Sequence, residues 1–168
     1  MNKPQFPTTD TLTITSPYGW RISPIDGLLT FHSAIDIGGG GIEHPIYATQ
    51  TGVVIRNTFT SYGGFTLRIQ HTGDIYFSQY QHLKEAPLLI VGDTVTKGQI
   101  IATMGSTGDS TGIHLDFAIA KSASGFFTEI GTINPETYLQ MDFDGYTSQK
   151  KKSKIHLLPI KRRVLIYQ

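Results

Sequence analysis

Glycine and proline recur at short intervals along this chain of 168 residues and disfavour long helices. The sequence holds 18 glycines and 8 prolines, and short runs rich in Val, Ile, Thr, Tyr and Phe lie between them. Such runs favour strands, whereas glycine and proline favour the turns that join strands. The sequence therefore predicts a mainly β fold with roughly seven to ten short strands.

These strands are expected between Leu12 and Leu139, a length that a single domain can fill. An apolar content of 39% is enough for a core. One short helix is expected after Asn134, which would cap it, with Pro135 in its first turn and its end near Gln140. The strand candidates include residues 12–15, 31–37, 52–57, 65–71, 74–82, 99–104 and 113–120.

Charge is distributed unevenly along the chain. Residues 1–149 hold all 13 acidic residues but only seven of the 14 Lys and Arg, so their net charge is 7 − 13 = −6, and the remainder carries +7. We predict three segments: a leader or linker over residues 1–11, one domain over residues 12–141 and a basic tail over residues 142–168.

Three features that the sequence lacks limit its chemistry. There is no cysteine, so any metal site must be built from His, Asp and Glu. No run approaches the ~18 consecutive apolar residues of a membrane span. The opening MNKPQFPTTD has neither the basic region nor the apolar region of a signal peptide. We therefore expect no membrane segment.

Two runs of the sequence place a histidine and an aspartate on one face of a strand. In IHLDFAI the apolar residues fall on one face, and His114 and Asp116 fall together on the other. In FHSAIDIGGGG the same alternation puts His32 and Asp36 on a shared face. Taken singly, each pattern is more typical of a surface pair or a packed strand edge than of a metal site. Together the two pairs offer groups that one metal ion or one reaction centre could use.

A third run, YFSQYQHL, adds a histidine to these candidates. Strand alternation puts His82 on one side with Tyr76, Ser78 and Tyr80. Tyr80 could line the site or pack in the interior, and we favour packing. The three runs together supply a candidate ligand set with two spare imidazoles: His32, Asp36, His82, His114 and Asp116.

The order of these motifs resembles that of the lysostaphin-type (LytM-like) zinc metallopeptidases, which cut peptide bonds in bacterial cell walls. The resemblance extends over residues 15–139 and implies a small antiparallel β-sheet domain with a groove over a zinc ion. The segments that carry it are SPYGWRISP, HSAIDI, PIYATQTGVV, YGGFTLRIQH, YQHL, VGDTVTKGQIIATMGSTGDSTGIHLDF and NPETYL.

The resemblance also implies a role for each candidate residue. His32 and Asp36 match two of the family's zinc ligands, whereas His82 and His114 match catalytic histidines that lie beside the metal without binding it. Asp116 stands where the family has its third ligand, a histidine. An aspartate can bind zinc, but two carboxylates weaken the ion as a Lewis acid and make a harder ion such as Mn²⁺ an alternative.

The function implied is that of a metal-dependent endopeptidase that hydrolyses peptide bonds of peptidoglycan. Without a signal peptide, we expect a phage lysin, a virion-associated enzyme or a part of a larger exported protein. The alternative, suggested by Asp116, is an inactive relative that binds the cell wall or a partner protein. The basic tail could contact anionic wall polymers or a partner, or only keep the chain soluble. We do not expect nucleic acid to be bound.

Overall fold

The computed structural model describes residues 3–9, 11–38 and 40–143. Its elements confirm the prediction of a mainly β fold. No helix in this part of the chain is long and apolar enough to span a membrane. In chain order the elements are β1 (Thr13–Ser16), β2 (Gly19–Ile22), β3 (Leu29–His32), β4 (Ile35–Gly38), β5 (Pro45–Tyr47), β6 (Gly52–Thr60), β7 (Gly64–His71), β8 (Phe77–Leu83), β9 (Thr94–Val95), β10 (Ile100–Thr103), β11 (His114–Ala120), β12 (Thr132–Ile133) and α1 (Pro135–Leu139).

The main sheet has eight strands, and its neighbouring strands pair in the order β1-β4-β11-β8-β7-β6-β9, with β12 beside β11. All of these pairings are antiparallel. Two small sheets, β2 with β3 and β5 with β10, complete the fold. The central strand β11 lies between β4 and β8. The runs FHSAIDIGGGG, YFSQYQHL and IHLDFAI contain β4, β8 and nearly all of β11, so the three runs that carry the candidate residues meet in the middle of the main sheet.

Alternation along β11 creates the core on one face of the sheet. Leu115, Phe117 and Ile119 are fully buried there, and Ile35 and Ile37 of β4 are buried beside them. Each such side chain contributes about 1.5–3 kcal/mol when it is removed from water. The residues between them face the opposite side of the sheet, which carries the candidate site.

Helix α1 begins as the sequence predicts, and Tyr138 attaches it to this core. The side chain of Asn134 accepts a hydrogen bond from the backbone N–H of Glu136, and Pro135 is the first helical residue. The hydroxyl of buried Tyr138 donates a hydrogen bond of 2.9 Å to Asp74. Asp74 also accepts a hydrogen bond from Nδ1 of His71 at 3.0 Å. His71 thus serves to hold the helix and the turn before β8.

The predicted strand over residues 31–37 is interrupted. β3 ends at His32 and pairs with β2, whereas β4 begins at Ile35 and pairs with β1 and β11. The chain therefore crosses from a small sheet to the main sheet between these two strands. Local alternation cannot reveal such a crossing, because it depends on which strands pair.

The predicted alternation along β8 is wrong at His82. Tyr80 and Ser78 are buried, and Tyr80 packs against Phe117 in the core. His82 would point the same way in a regular strand, but its φ is +58° and the pairing of β8 with β7 shifts register beside it. A positive φ reverses the expected direction of the side chain. His82 consequently lines a cavity over the opposite face.

The segment before β1 contacts the domain. The backbone N–H of Gln5 donates to the carbonyl of Thr49, and that of Tyr47 donates to the carbonyl of Pro7, both at 2.8 Å. Thr8 is buried. The proposed division between a leader and the domain at residue 12 stays a prediction, although residues on both sides of it belong to one packed body. The predicted basic tail lies outside the described residues from residue 144 onward.

Candidate metal centre

Three side chains meet above the centre of the main sheet. Nε2 of His32 lies 3.4 Å from Oδ1 of Asp36 and 3.3 Å from Oδ2 of Asp116. One ligand atom from each of the three lies within 4.8 Å of the other two. Asp36 on β4 and Asp116 on β11 are direct cross-strand partners, which puts both carboxylates on the same face. These three residues could hold one metal ion.

The orientation of His32 suits a ligand. Its Nδ1–H donates a 3.0 Å hydrogen bond to the backbone carbonyl of Pro17. In the neutral imidazole this bond leaves the lone pair on Nε2, which is the nitrogen that faces the two carboxylates. The loop between β1 and β2 thus fixes the ring for coordination.

The two carboxylates perturb the titration of this site. Burial lowers the pKa of His32, but hydrogen bonds with Asp116 and Asp36 and their negative charges outweigh burial and raise this pKa to about 9. For Asp36, burial acts in the opposite direction and raises the pKa. The hydrogen bond with His32 and the positive charges of His32, His114 and Arg21 outweigh burial, so that the pKa of Asp36 lies below its ordinary value. The site therefore stabilises positive charge at the place where the three side chains meet.

An incomplete hydrogen-bond set shows that a cation fits. Oδ1 of Asp116 is buried and has no hydrogen-bond partner among the residues that the structure describes. A buried carboxylate oxygen without a partner is costly, and a bound cation would satisfy it. One imidazole and two carboxylates are ligand types that zinc accepts, and their oxygen-rich composition also suits Mn²⁺. The donor set fits a divalent ion.

His82 and His114 form a second pair beside the metal ligands. Their ring centroids are 4.7 Å apart. Nδ1–H of His82 donates to the carbonyl of Thr107 and Nδ1–H of His114 donates to the carbonyl of Gly112, both at 2.8 Å. In the neutral form, each ring then keeps Nε2 as its proton acceptor. Both rings therefore offer Nε2 for proton transfer.

The five predicted site residues line a single cavity of about 220 Å³. A cavity of about 640 Å³ adjoins it on one side and shares Arg21, Asp36 and His114 with it. A third cavity of about 510 Å³ adjoins it on the other side and shares His32 and Asp116 with it. We call these three cavities together the groove. The metal centre lies near the middle of this groove.

Two residues of the centre were not singled out from the sequence. Arg21 lies with Nη2 at 3.7 Å from Oδ2 of Asp36. Tyr62 is 61% exposed and lines the central cavity, and its partial burial together with the charge of Asp116 raises its pKa. The available signal for Arg21 was a charged residue between the apolar residues Trp20 and Ile22 in a short strand run. Nothing in the local sequence distinguishes Tyr62 from other loop tyrosines.

Residues 30–127 match Peptidase family M23. This chain belongs to peptidase family M23. The match includes all five predicted site residues, and it confirms the lysostaphin-type resemblance. We call the described part of the chain that contains this match the M23 domain. It belongs to a metallopeptidase family.

A curated relative and two solved structures agree with this assignment. The peptidoglycan DD-endopeptidase ShyC of Vibrio cholerae is 33% identical over 97 residues, which are 58% of this chain and 22% of ShyC. The chain thus spans about a fifth of that relative's length.

Both solved structures share the fold. A zinc-containing peptidase from Vibrio cholerae has a TM-score of 0.66 and 29% identity, covering 83% of this chain and 40% of that one. The catalytic domain of lysostaphin from Staphylococcus simulans has a TM-score of 0.66 and 28% identity, and the match covers 79% of this chain and 95% of that one. The predicted antiparallel fold is confirmed by these likenesses.

Proposed function

We propose that the M23 domain is a metal-dependent endopeptidase that hydrolyses peptide bonds of bacterial peptidoglycan. The observation that carries the proposal is the central cavity, which is lined by three potential metal ligands and by two histidines outside the ligand set. ShyC, named as a peptidoglycan DD-endopeptidase, supports the choice of substrate. In this proposal His32, Asp36 and Asp116 bind the ion, with Zn²⁺ as the first candidate and Mn²⁺ as the second.

The roles of the remaining histidines follow from their hydrogen bonds. When bound, a divalent ion polarises the scissile carbonyl and lowers the pKa of water. Of His82 and His114, one accepts a proton from the attacking water at Nε2, and the other, in its protonated form, donates to the carbonyl oxygen as negative charge develops there. The backbone carbonyls of Thr107 and Gly112 hold the two rings for these tasks.

The experiment that tests this function uses purified peptidoglycan. The chain is stripped with chelator, supplied with one equivalent of zinc or manganese, and incubated with the wall polymer. We expect release of new amino groups with metal and none with chelator. Metal-loaded protein that leaves the polymer intact at every pH would contradict the proposal.

A second function is suggested by Asp116 alone. A domain whose centre binds metal too weakly for catalysis would instead bind the wall or a partner protein. Its signature is co-sedimentation with peptidoglycan without hydrolysis and without stoichiometric metal. Delivery as a phage lysin, in a virion or within a larger exported protein stays a prediction from the sequence, as does the role of the basic tail.

A further inference from the structure

Strand β8 carries one residue more than its neighbour β7 at the place where His82 lies. The cross-strand pairs Leu67 with Tyr80 and Phe65 with Leu83 enclose this place. One residue of β7 lies between the two pairs, whereas two residues of β8 do, and the second of these is His82. An extra residue of this kind forms a β-bulge, which can re-aim a side chain. The direction of the His82 ring therefore depends on what keeps this bulge open.

The hydroxyl of Thr107 lies between the two strands beside the bulge. It accepts a hydrogen bond of 3.1 Å from the backbone N–H of Phe65 and donates one of 2.6 Å to the backbone carbonyl of Leu83. Phe65 and Leu83 are cross-strand partners. Removal of the hydroxyl would deprive both backbone groups of this partner, and they would regain one by pairing directly with each other as the bulge closes. The hydroxyl of Thr107 therefore favours the open bulge.

The backbone of Thr107 holds the ring that the bulge turns. Its carbonyl accepts the 2.8 Å hydrogen bond from Nδ1 of His82, and the backbone N–H of His82 donates to the carbonyl of Gly63 at 2.9 Å. With a φ of +58°, His82 has a conformation that a residue other than glycine keeps only where its surroundings fix it. Thr107 supplies two of these restraints, one through its carbonyl and one through its hydroxyl.

The loop that carries Thr107, with the sequence GSTG, packs closely against both histidine-bearing strands. A Cβ at Gly64 would lie 2.3 Å from the carbonyl oxygen of Thr107, and a Cβ at Gly108 would lie 2.2 Å from the backbone nitrogen of Gly64. Only glycine permits so close an approach at these positions. The carbonyl of Gly105, in the same loop, accepts a hydrogen bond of 3.1 Å from the backbone N–H of His114. The loop thus fixes Thr107 relative to β7, β8 and β11.

We propose that Thr107 is a positioning residue, whose hydroxyl keeps the bulge of β8 open and so holds the ring of His82 beside that of His114. Thr107 lies outside the linings of the three groove cavities, so it acts through His82 and not on a ligand. The effect on hydrolysis rests on the proposed function. The effect on the arrangement of the two rings does not, because that arrangement belongs to the fold.

The first test observes the two rings directly. The full chain, supplied with zinc and with isotope-labelled histidine, is examined by NMR for a nuclear Overhauser effect (NOE) between the ring protons of His82 and His114, whose centroids are 4.7 Å apart. Thr107→Val keeps the shape of the side chain and removes the hydroxyl, whereas Thr107→Ser keeps the hydroxyl. Thr107→Ala is a second variant without the hydroxyl, and its smaller side chain serves if valine prevents folding.

Thr49→Val is the matched control. Thr49 is buried, and its hydroxyl donates a hydrogen bond of 2.6 Å to the backbone carbonyl of Gln5, the same length as the bond from Thr107 to Leu83. This variant therefore also loses a short hydrogen bond from a threonine to the backbone. It leaves β8 and its bulge untouched, because Thr49 follows β5.

We expect the NOE in the wild-type chain, Thr107→Ser and Thr49→Val, and its loss in Thr107→Val and Thr107→Ala. On soluble fragments of peptidoglycan, kcat per folded molecule should fall about 100-fold in Thr107→Val with little change in KM, because a group for proton transfer has been displaced. Thr107→Ser should restore most of kcat, and Thr49→Val should keep the wild-type value. Normalising to the folded fraction removes the effect of lost stability from the comparison.

Three results would overturn the inference: a wild-type chain without the NOE, an NOE that persists in both Thr107→Val and Thr107→Ala, or an equal loss of the NOE in Thr49→Val. Undiminished kcat in a Thr107 variant that has lost the NOE would overturn its catalytic part. Failure of the proposed function is a separate result, namely intact peptidoglycan after incubation with metal-loaded wild-type chain. The NOE decides the role of Thr107 in either case.

Discussion

Asp116 faces Asp36 directly across two antiparallel strands, an arrangement in which like charges repel each other. His32 lies within 3.4 Å of both carboxylates and is held in place by Pro17. The pair is therefore stable only with positive charge between its members, supplied by a proton on the imidazole or by a metal ion. This charge balance suits Asp116 to a ligand position where the lysostaphin-type pattern has histidine.

Replacement of Asp116 tests its place in the ligand set. Asp116→Asn keeps the size of the side chain but removes the charge, and we expect the affinity for zinc to fall by more than about 100-fold, beyond the loss typical of a residue that only supports a ligand. Asp116→His should strengthen zinc binding. The measurement is competition with a chromophoric chelator.

Asp109→Asn serves as the control for that experiment, since Asp109 lines the same cavity but lies outside the ligand cluster. Equal zinc affinities in the wild-type chain, Asp116→Asn and Asp116→His would show that the metal is held by other residues.

Replacement of His114 tests whether metal binding and catalysis depend on different residues. Nε2 of His114 lies 3.7 Å from Asp36 but outside the ligand cluster. We expect His114→Ala to abolish hydrolysis of peptidoglycan while the zinc content per chain, measured by elemental analysis, changes little. His44→Ala is the control, because His44 lines none of the groove cavities. Retained hydrolysis in His114→Ala would remove this residue from the mechanism.

At the scale of the element, the short helix α1 depends on its attachment to the sheet. Five residues are too few to form a helix alone. Tyr138 supplies that attachment, because its ring is buried against Tyr76 and Phe143 and its hydroxyl reaches Asp74. The contact joins the end of the domain to the turn before β8, and β8 carries His82.

Removal of the Tyr138 hydroxyl should weaken this attachment. We expect Tyr138→Phe to lower the free energy of unfolding by about 1.5–3 kcal/mol, the range for a hydrogen bond to a charged group, because Asp74 loses its hydroxyl donor. The measurement is unfolding in urea. Tyr62→Phe is the matched control, since Tyr62 is largely exposed. Equal stabilities of the two variants would show that the hydroxyl contributes nothing.

At the scale of the whole molecule, the buried hydroxyl of Tyr80 lies deep in the core. It accepts a hydrogen bond of 2.9 Å from the backbone N–H of Thr49, which joins β8 to the loop after β5. Burial raises the pKa of Tyr80 to about 12, although hydrogen bonds with Ser78 and Thr49 act in the opposite direction. The folded state therefore keeps this proton at a pH where the unfolded chain, with a tyrosine pKa of about 10, has lost it.

The stability of the domain should consequently fall as the pH rises from about 10 to about 12, because the unfolded state gives up the proton first. Below pH 10 both states are protonated and this loss is absent. We expect the wild-type chain to lose about 1.4 kcal/mol more than Tyr80→Phe between pH 8 and pH 11 in urea unfolding. Parallel losses in the two proteins would show that Tyr80 does not titrate differently on folding.

Local signals in the sequence were enough to predict several elements. Alternation in IHLDFAI predicted both the buried face of β11 and the shared face of His114 and Asp116, because side chains on a strand alternate irrespective of what the strand pairs with. Asn134 and Pro135 predicted the start of α1, since capping needs only the residues that follow. The motif order predicted the family, and with it the fold.

Features that depend on pairing across the sheet became visible only in the folded molecule. His82 has a left-handed backbone and a register shift beside it, and these two features point its ring toward the groove. No local sequence pattern encodes either feature. The pairing of β4 with β11 sets Asp36 opposite Asp116, and the separate β2–β3 sheet brings Arg21 to the same carboxylate. Each of these contacts joins residues far apart in the chain, so its geometry exists only after the strands have met.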